Sequence, residues 1–142
     1  PDLRGTLDFT RPQAFEGVNI LPMTVFRDGT GRLRPAQLGA CSFAELRQAL
    51  ESAYQAKTEH FVILSHNFEM LRQGSSVPDG IVVRRFERLC RFLAARRDQF
   101  AVTSMRMLPT SEPDAAALSL PVAGLPATLW RHGEQLARRI LG

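Results

Sequence analysis

Three histidines are the residues of this sequence that first suggest metal or acid–base chemistry. His60 and His66 flank a short apolar run, and His132 lies in a basic segment near the end of the chain. If residues 60–66 form a strand, His60 and His66 are separated by roughly 20 Å and cannot share one ion. His132 has no H-E-x-x-H or similar pattern around it. Because metal sites usually need three or four ligands, we expect no metal site in this chain.

Ser65 precedes His66 directly, which suggests a serine nucleophile with a histidine base. Successive residues of a strand point to opposite faces, so Ser65 could not pass its proton to His66. The same alternation places Leu64 and His66 on one face. His66 would then lie at the carboxyl end of a strand, where α/β proteins bind ligands and where an imidazole can exchange protons near neutral pH. The alternative is a histidine that only caps the strand end through a carbonyl or Asn67.

Alternating strand and helix patterns should position this histidine. Strands are predicted at residues 18–26, 60–66 and 100–104. Helices are predicted from a capping box of Ser42 and Glu45, from an Asp79 cap to about Asp98, and over residues 128–141. This order indicates an α/β fold with parallel strands. The predicted inward faces are Phe43, Leu46, Leu50 and Tyr54 in the first helix, Val82, Phe86, Leu89 and Leu93 in the second, and Leu129, Leu136 and Ile140 in the last.

Length and composition indicate one domain spanning residues 1–142. The chain is 44% hydrophobic and 23% charged, which is typical of globular proteins. Residues 106–127 are rich in proline and small residues and predict a surface excursion before the last helix. No apolar run reaches the ~18 residues of a membrane span, and no signal peptide opens the sequence, so we expect a cytoplasmic protein. Cys41 and Cys90 match no metal or redox spacing and predict a reduced, buried pair.

A formal net charge of +4 and a pI near 10.0 also suggest nucleic-acid binding. The densest basic cluster lies in the second predicted helix. No aromatic residue interleaves with its helical face to stack on bases, so the pattern favours a solvated face over a nucleic-acid site. The cluster consists of Arg84, Arg85, Arg88, Arg91, Arg96 and Arg97.

Several segments, in order, resemble the carboxyl half of bacterial polysaccharide deacetylases encoded in lipopolysaccharide and O-antigen loci. They are NILPMTVF, SFAELRQAL, FVILSHNFEML, RRFERLCRFLAARRDQFAVTSM and ATLWRHGEQLARRI. The resemblance implies a partial (β/α) barrel with about three parallel strands, within an enzyme that removes acetyl groups from carbohydrate with a divalent metal, commonly zinc. The family's Leu-x-His motif corresponds to Leu64-Ser65-His66. It implies that Leu64 lines the acetyl pocket and that His66 is the general acid. Asn67 and Glu69, on the loop just after His66, are weaker candidates for sugar contacts, and the favoured alternative for each is an ordinary solvated loop.

The family's other motifs, a Thr-Phe-Asp-Asp-Gly run and a histidine pair, do not occur in this sequence. We therefore expect the chain alone to bind no catalytic metal and to hydrolyse nothing. A missing amino-terminal half or a second copy of the chain would complete the thin sheet. The alternatives are a non-catalytic carbohydrate-binding or assembly module of the same fold and, less favoured, an arginine-rich nucleic-acid binder.

Overall fold

The computed structural model describes residues 12–107 and 119–141. It confirms a mixed α/β fold, in which two small antiparallel sheets accompany three helices. The strands are β1 (Gln13–Phe15), β2 (Val18–Ile20), β3 (Val25–Arg27) and β4 (Leu33–Pro35), and the helices are α1 (Phe43–Gln55), α2 (Gly80–Ala94) and α3 (Leu125–Leu141). Short 3₁₀ helices span Asn67–Met70 and Met105–Met107.

The strand predicted at residues 18–26 is divided between two hairpins. β1 pairs with β2, and β3 pairs with β4, each pair antiparallel. Glu16 and Gly17 connect β1 to β2 with φ of 48° and 78°, the positive values that a tight two-residue hairpin turn requires. Pro22 lies in the break between β2 and β3, consistent with a residue that cannot donate to a strand ladder.

No parallel barrel is evident in the described residues. Parallel pairing is limited to two isolated bridges, Gln37 with Leu64 and Arg27 with Val122. The strand predicted at 60–66 is therefore an extended segment with one bridge. The Val62 amide donates to the Thr24 hydroxyl at 2.7 Å, and the Val62 carbonyl accepts from the Thr24 backbone amide at 3.1 Å. Residues 100–104 form no strand, so that prediction was wrong.

The two predicted helix starts are confirmed. The Ser42 hydroxyl accepts from the Glu45 amide at 3.2 Å, and the Glu45 carboxylate accepts from the Ser42 amide at 3.1 Å. At the start of α2, Asp79 accepts from the Ile81 and Val82 amides at 3.0 and 3.2 Å. Each cap satisfies backbone donors that have no partner inside their own helix. The helix from Asp79 ends at Ala94, four residues before the predicted end.

The core lies between the β3–β4 sheet and the inward faces of α1 and α2. Its buried apolar members include Phe26, Leu38, Leu46, Leu50, Val82, Leu89 and Phe92. Tyr54 and Phe86, predicted to point inward, are exposed. Phe92, which was not in the predicted face, is buried in place of Phe86. The remaining predicted positions of these two helices are buried or partly buried.

The last predicted helix is confirmed as α3, but the face of it that was predicted to point inward was wrong. Leu129, Leu136 and Ile140 are exposed, with 59%, 59% and 74% of their surface accessible. The helix packs instead through Ala127, Thr128 and Arg131, which are all buried. Thr128 accepts a hydrogen bond from the Gly29 amide at 2.9 Å, and Arg131 forms ion pairs. Apolar periodicity alone identified the opposite face because it gives no weight to a buried, paired arginine.

The structure describes only the two ends of the surface excursion predicted at 106–127. Residues 108–118 lie outside the described residues. Beyond them, the chain returns to β3, where the Arg27 amide donates to the Pro121 carbonyl at 2.9 Å and the Ala123 amide donates to the Arg27 carbonyl at 2.8 Å. Pro121 and Ala123 are buried. The segment around Pro121 and Ala123 and the start of α3 therefore pack against the rest of the protein.

The two cysteines differ in environment. Both are free, but Cys41 is buried and Cys90 is exposed, so the predicted burial holds only for Cys41. Burial raises the pKa of the Cys41 thiol, which disfavours its reactive thiolate form. No helix among the described residues is long and apolar enough to cross a membrane.

Candidate functional site

His66 directly precedes the 3₁₀ helix Asn67–Met70, and its backbone is extended, with φ −116° and ψ 143°. Its side chain is exposed. The imidazole stacks on the ring of Phe68, with centroids 4.9 Å apart and planes inclined by 10°. Two residues earlier, Leu64 is half-buried. An accessible imidazole thus follows a partly covered leucine on an extended backbone.

The direction of the chain places His66 at one end of the β3–β4 sheet. Leu64 pairs in parallel with Gln37, the second residue after β4. Its amide donates to the Ala36 carbonyl at 2.9 Å, and its carbonyl accepts from the Leu38 amide at 3.0 Å. The chain after Leu64 therefore leaves in the same direction as the chain after β4, away from the β3–β4 turn. His66 lies beyond the carboxyl end of its extended segment.

Glu69 holds the loop that carries His66. One carboxylate oxygen accepts from the His66 backbone amide at 3.4 Å, and the other accepts from the side-chain amide of Gln37. The carboxylate also lies against Gly39, where an added Cβ would be 3.0 Å from the Glu69 Cδ. With both oxygens engaged, Glu69 acts as a positioning residue for His66. The sugar contact predicted for Glu69 stays a prediction.

Asn67 is the most accessible of the predicted binding residues in this loop. Its side chain is exposed, and its Oδ1 accepts from the Phe68 amide at 2.9 Å. Phe68 itself is 64% exposed. The structure therefore brings His66, Asn67 and Phe68 to one accessible surface, with Glu69 behind them.

The carbonyl of Gly39 anchors this region to both long helices. Arg85 of α2 and Arg138 of α3 each donate to it at 3.2 Å. Arg85 is buried and forms an ion pair with Glu134 at 2.7 Å. Arg138 forms another with Asp79, also at 2.7 Å. The backbone against which Glu69 packs is thus fixed by two charged side chains, each with its own carboxylate.

Arg85 is buried, which separates it from the exposed members of the predicted arginine cluster. Arg91 is exposed and pairs with Glu87 one turn earlier, at 3.3 Å. The Arg96 guanidinium lies 4.4 Å from the centroid of the Phe92 ring. The other members, Arg84, Arg88 and Arg97, are exposed. The cluster is therefore a mixture of a buried ion pair, a ring contact and solvated charges, and not a continuous basic face.

A second polar centre connects the β3–β4 hairpin to α1 and α3. Arg131 donates through Nε to Glu45 at 2.9 Å and through Nη2 to Asp28 at 3.3 Å. Asp28 and Glu45 are almost fully buried. The other oxygen of Asp28 accepts from the amide and hydroxyl of Thr30 and from the Arg32 amide, at 2.9, 2.7 and 3.1 Å.

These contacts set the ionisation of Asp28. Burial by itself would raise the pKa of this carboxyl group, because it penalises the charged form. The hydrogen bonds from Thr30 and Arg32, together with the positive charge of Arg131, outweigh burial and lower the pKa below its ordinary value. Asp28 is therefore a firmly ionised structural carboxylate.

Sequence reasoning did not identify Asp28 or Arg131 as members of a site. A weak signal was present for Asp28, which begins the Asp-Gly pair of a turn-rich stretch and whose side chain can accept from the following amides. Arg131 carried no signal, since its partner Glu45 precedes it by 86 residues. Only the tertiary structure brings these charges together.

A metal centre is not formed by the described residues. Within 12–107 and 119–141, no group of three or more His, Cys, Asp or Glu side chains could hold an ion. Around His66 the one acidic neighbour described above, Glu69, already uses both oxygens on the loop. Comparisons with protein-family models, curated proteins and solved structures found no match to this chain.

Proposed function

We propose that this chain is the carboxyl-terminal part of a cytoplasmic polysaccharide deacetylase acting on an acetylated bacterial surface carbohydrate of the lipopolysaccharide or O-antigen type. The observation that carries the proposal is the exposed His66 imidazole, which follows half-buried Leu64 beyond the carboxyl end of a sheet-paired segment. An acetyl-removing site needs a proton donor beside an apolar wall for the methyl group, and these two residues supply both.

In this proposal His66 is the general acid. A protonated imidazole would give its proton to the amine or alkoxide as the bond between the acetyl carbon and the sugar nitrogen or oxygen breaks. Glu69 would aim the ring, because it holds the His66 backbone amide and is itself held by Gln37. Leu64 would contact the acetyl methyl, and Asn67 would hydrogen-bond to a sugar hydroxyl.

The rest of the catalytic centre would come from residues outside this sequence. The described residues do not fit the divalent metal that the resemblance implies, and the family's acidic and histidine motifs do not occur in the chain. A preceding half of the polypeptide, or a second copy of this chain, would also add strands to these two-stranded sheets. We expect the chain alone to release no acetate.

The proposal is tested with the polypeptide encoded by the complete gene. We expect a Thr-Phe-Asp-Asp-Gly motif and a histidine pair upstream of Pro1, and acetate release from an acetylated oligosaccharide that a chelator abolishes. H66A should lower kcat by about 10²–10⁴-fold. H60A, which removes a histidine six residues earlier, is the matched control and should retain activity. An upstream sequence without these motifs, or an H66A enzyme as active as H60A, would overturn the proposal.

A non-catalytic carbohydrate-binding module is the second candidate, favoured by exposed Phe68 and the imidazole stacked on it. Exposed apolar surface bordered by polar side chains is typical of ligand-binding sites. Such a module would bind an acetylated oligosaccharide through Phe68 and Asn67, and F68A would lose binding. It would release no acetate even as the complete gene product, which separates it from the enzyme.

A further inference from the structure

A cavity of about 290 Å³ lies beside the β3–β4 turn and α3. It is at the turn end of the hairpin, whereas His66 lies in the direction in which the chain leaves β4. Its lining is dominated by basic side chains and contains one carboxylate. The lining residues are Asp28, Thr30, Arg32, Arg34, Arg131 and His132.

The one carboxylate of the lining, that of Asp28, already has hydrogen-bond partners inside the protein. One oxygen of Asp28 accepts from Thr30 and from the Arg32 amide, and the other accepts from Arg131. Arg131 in turn is shared between Asp28 and Glu45. These interactions satisfy the buried carboxylates inside the protein, so Asp28 is poorly placed to attract a cation from solvent.

Two guanidinium groups of the lining have no carboxylate partner among the described residues. Arg32 is exposed, and its side chain makes no ion pair in this part of the structure. Arg34 donates through Nη2 to the Ala40 carbonyl at 3.1 Å. Its Nε is buried and meets no acceptor within the described ranges. Unpaired donors on adjacent positive groups favour an anion.

His132 adds a donor at the same place. Its Nε2 lies 3.3 Å from the Nη2 of Arg131. Because a guanidinium can only donate, Nε2 accepts in this contact when the ring is neutral, and the proton is then on the other ring nitrogen. That nitrogen belongs to an exposed side chain and is free to donate to a ligand at the rim.

We propose that this cavity binds an oxyanion, either phosphate or carboxylate, carried by a ligand about the size of a sugar. Guanidinium groups form forked hydrogen bonds with both anions, and here Arg32 and Arg34 supply them. The volume is close to the lower limit of about 300 Å³ for small-molecule sites, which suits the charged end of such a ligand. The proposal rests on the cavity and does not depend on the deacetylase function.

The test is an NMR titration of this chain with inorganic phosphate, galacturonate and neutral galactose. We expect phosphate, galacturonate or both to shift the amides of Thr30 and Arg32, with affinity falling as salt rises, and galactose to leave them unchanged. R32Q should weaken binding by roughly three- to tenfold. R91Q, which removes the same charge from an exposed position on α2, should leave binding unchanged.

Each outcome either supports or overturns the proposal. A response to phosphate alone, or to galacturonate alone, supports it and identifies the anion. R34K provides a second supporting result if it keeps the charge but loses affinity, because lysine lacks the fork. Galactose shifting the same amides would overturn the oxyanion specificity. R91Q weakening binding as much as R32Q would show general charge attraction, and no shift with either anion would exclude the site.

Discussion

The Nε of Arg131 lies 2.9 Å from the Oε1 of Glu45, and the two side chains are 6% and 0% exposed. Glu45 also completes the capping box of α1 through its other oxygen. Arg131 reaches Asp28 beyond β3 with a second nitrogen. One guanidinium therefore connects α3 to the amino end of α1 and to the hairpin that borders the basic cavity.

Replacing Arg131 should destabilise the fold strongly. R131M leaves Asp28 and Glu45 as buried carboxylates without their cation, and we expect the free energy of unfolding to fall by about 3–5 kcal/mol. Urea denaturation monitored by circular dichroism measures this change. R91M breaks the exposed pair with Glu87 and should cost less than about 1 kcal/mol. Equal losses in the two variants would contradict the structural role of the Arg131 pair.

Protonation of Asp79 should contribute to the loss of stability in acid. Burial would raise the pKa of this carboxyl group, but hydrogen bonds from Val82, Arg138 and Ile81 and the positive charge of Arg138 lower it overall. A carboxyl group whose pKa is lower in the folded state stabilises the fold above its unfolded pKa. That contribution is lost as the pH falls below about 4 towards the folded pKa.

D79N tests this pH dependence. It removes the titrating group, so its free energy of unfolding should decline less steeply below about pH 4 than that of the wild type, although D79N is less stable at pH 7. Urea denaturation at a series of pH values gives both slopes. Asp28, whose pKa is also lowered, remains in D79N and should leave part of the decline. Identical slopes would mean that Asp79 contributes nothing to the acid transition.

The helix cap of α2 can be separated from the ion pair of Asp79. D79A loses both the Arg138 pair and the hydrogen bonds to the Ile81 and Val82 amides. D79N loses the ion pair but keeps a side-chain oxygen that can cap the helix. We expect D79A to be less stable than D79N by about 1 kcal/mol in urea denaturation. Equal stabilities would show that the cap adds nothing.

The features that the sequence predicted correctly depend on residues close together in the chain. The capping box spans four positions, and the Asp79 cap uses amides two and three residues later. The errors concern long-range partners. Residues 60–66 have strand-forming side chains, but the segment keeps a single isolated bridge, and its Val62 amide donates to the Thr24 hydroxyl, 38 positions away. Strand propensity describes how well a side chain fits a sheet. It does not show whether a neighbouring strand is available for backbone pairing.

The candidate site shows the same difference between features set by neighbouring residues and features set by long-range partners. Leu64 and His66 were selected from local spacing and their roles stay predictions, whereas the contacts of Glu69 depend on Gln37, 32 residues earlier. Arg85 was assigned to a solvated cluster because no aromatic residue interleaves with the helical face of that cluster. Its burial becomes favourable only when Glu134 of α3 reaches it, 49 residues later. Pairing across that distance cannot be deduced from the pattern of a single helix.

The exposed apolar face of α3 gives the last prediction. Leu136 is 59% exposed, whereas Leu46 of α1 is fully buried. L136S should therefore change the free energy of unfolding by no more than about 0.5 kcal/mol. L46A leaves a cavity in the core and should cost about 2–5 kcal/mol. Urea denaturation at two protein concentrations compares them, and a large, concentration-dependent cost for L136S would show that a second molecule covers this face.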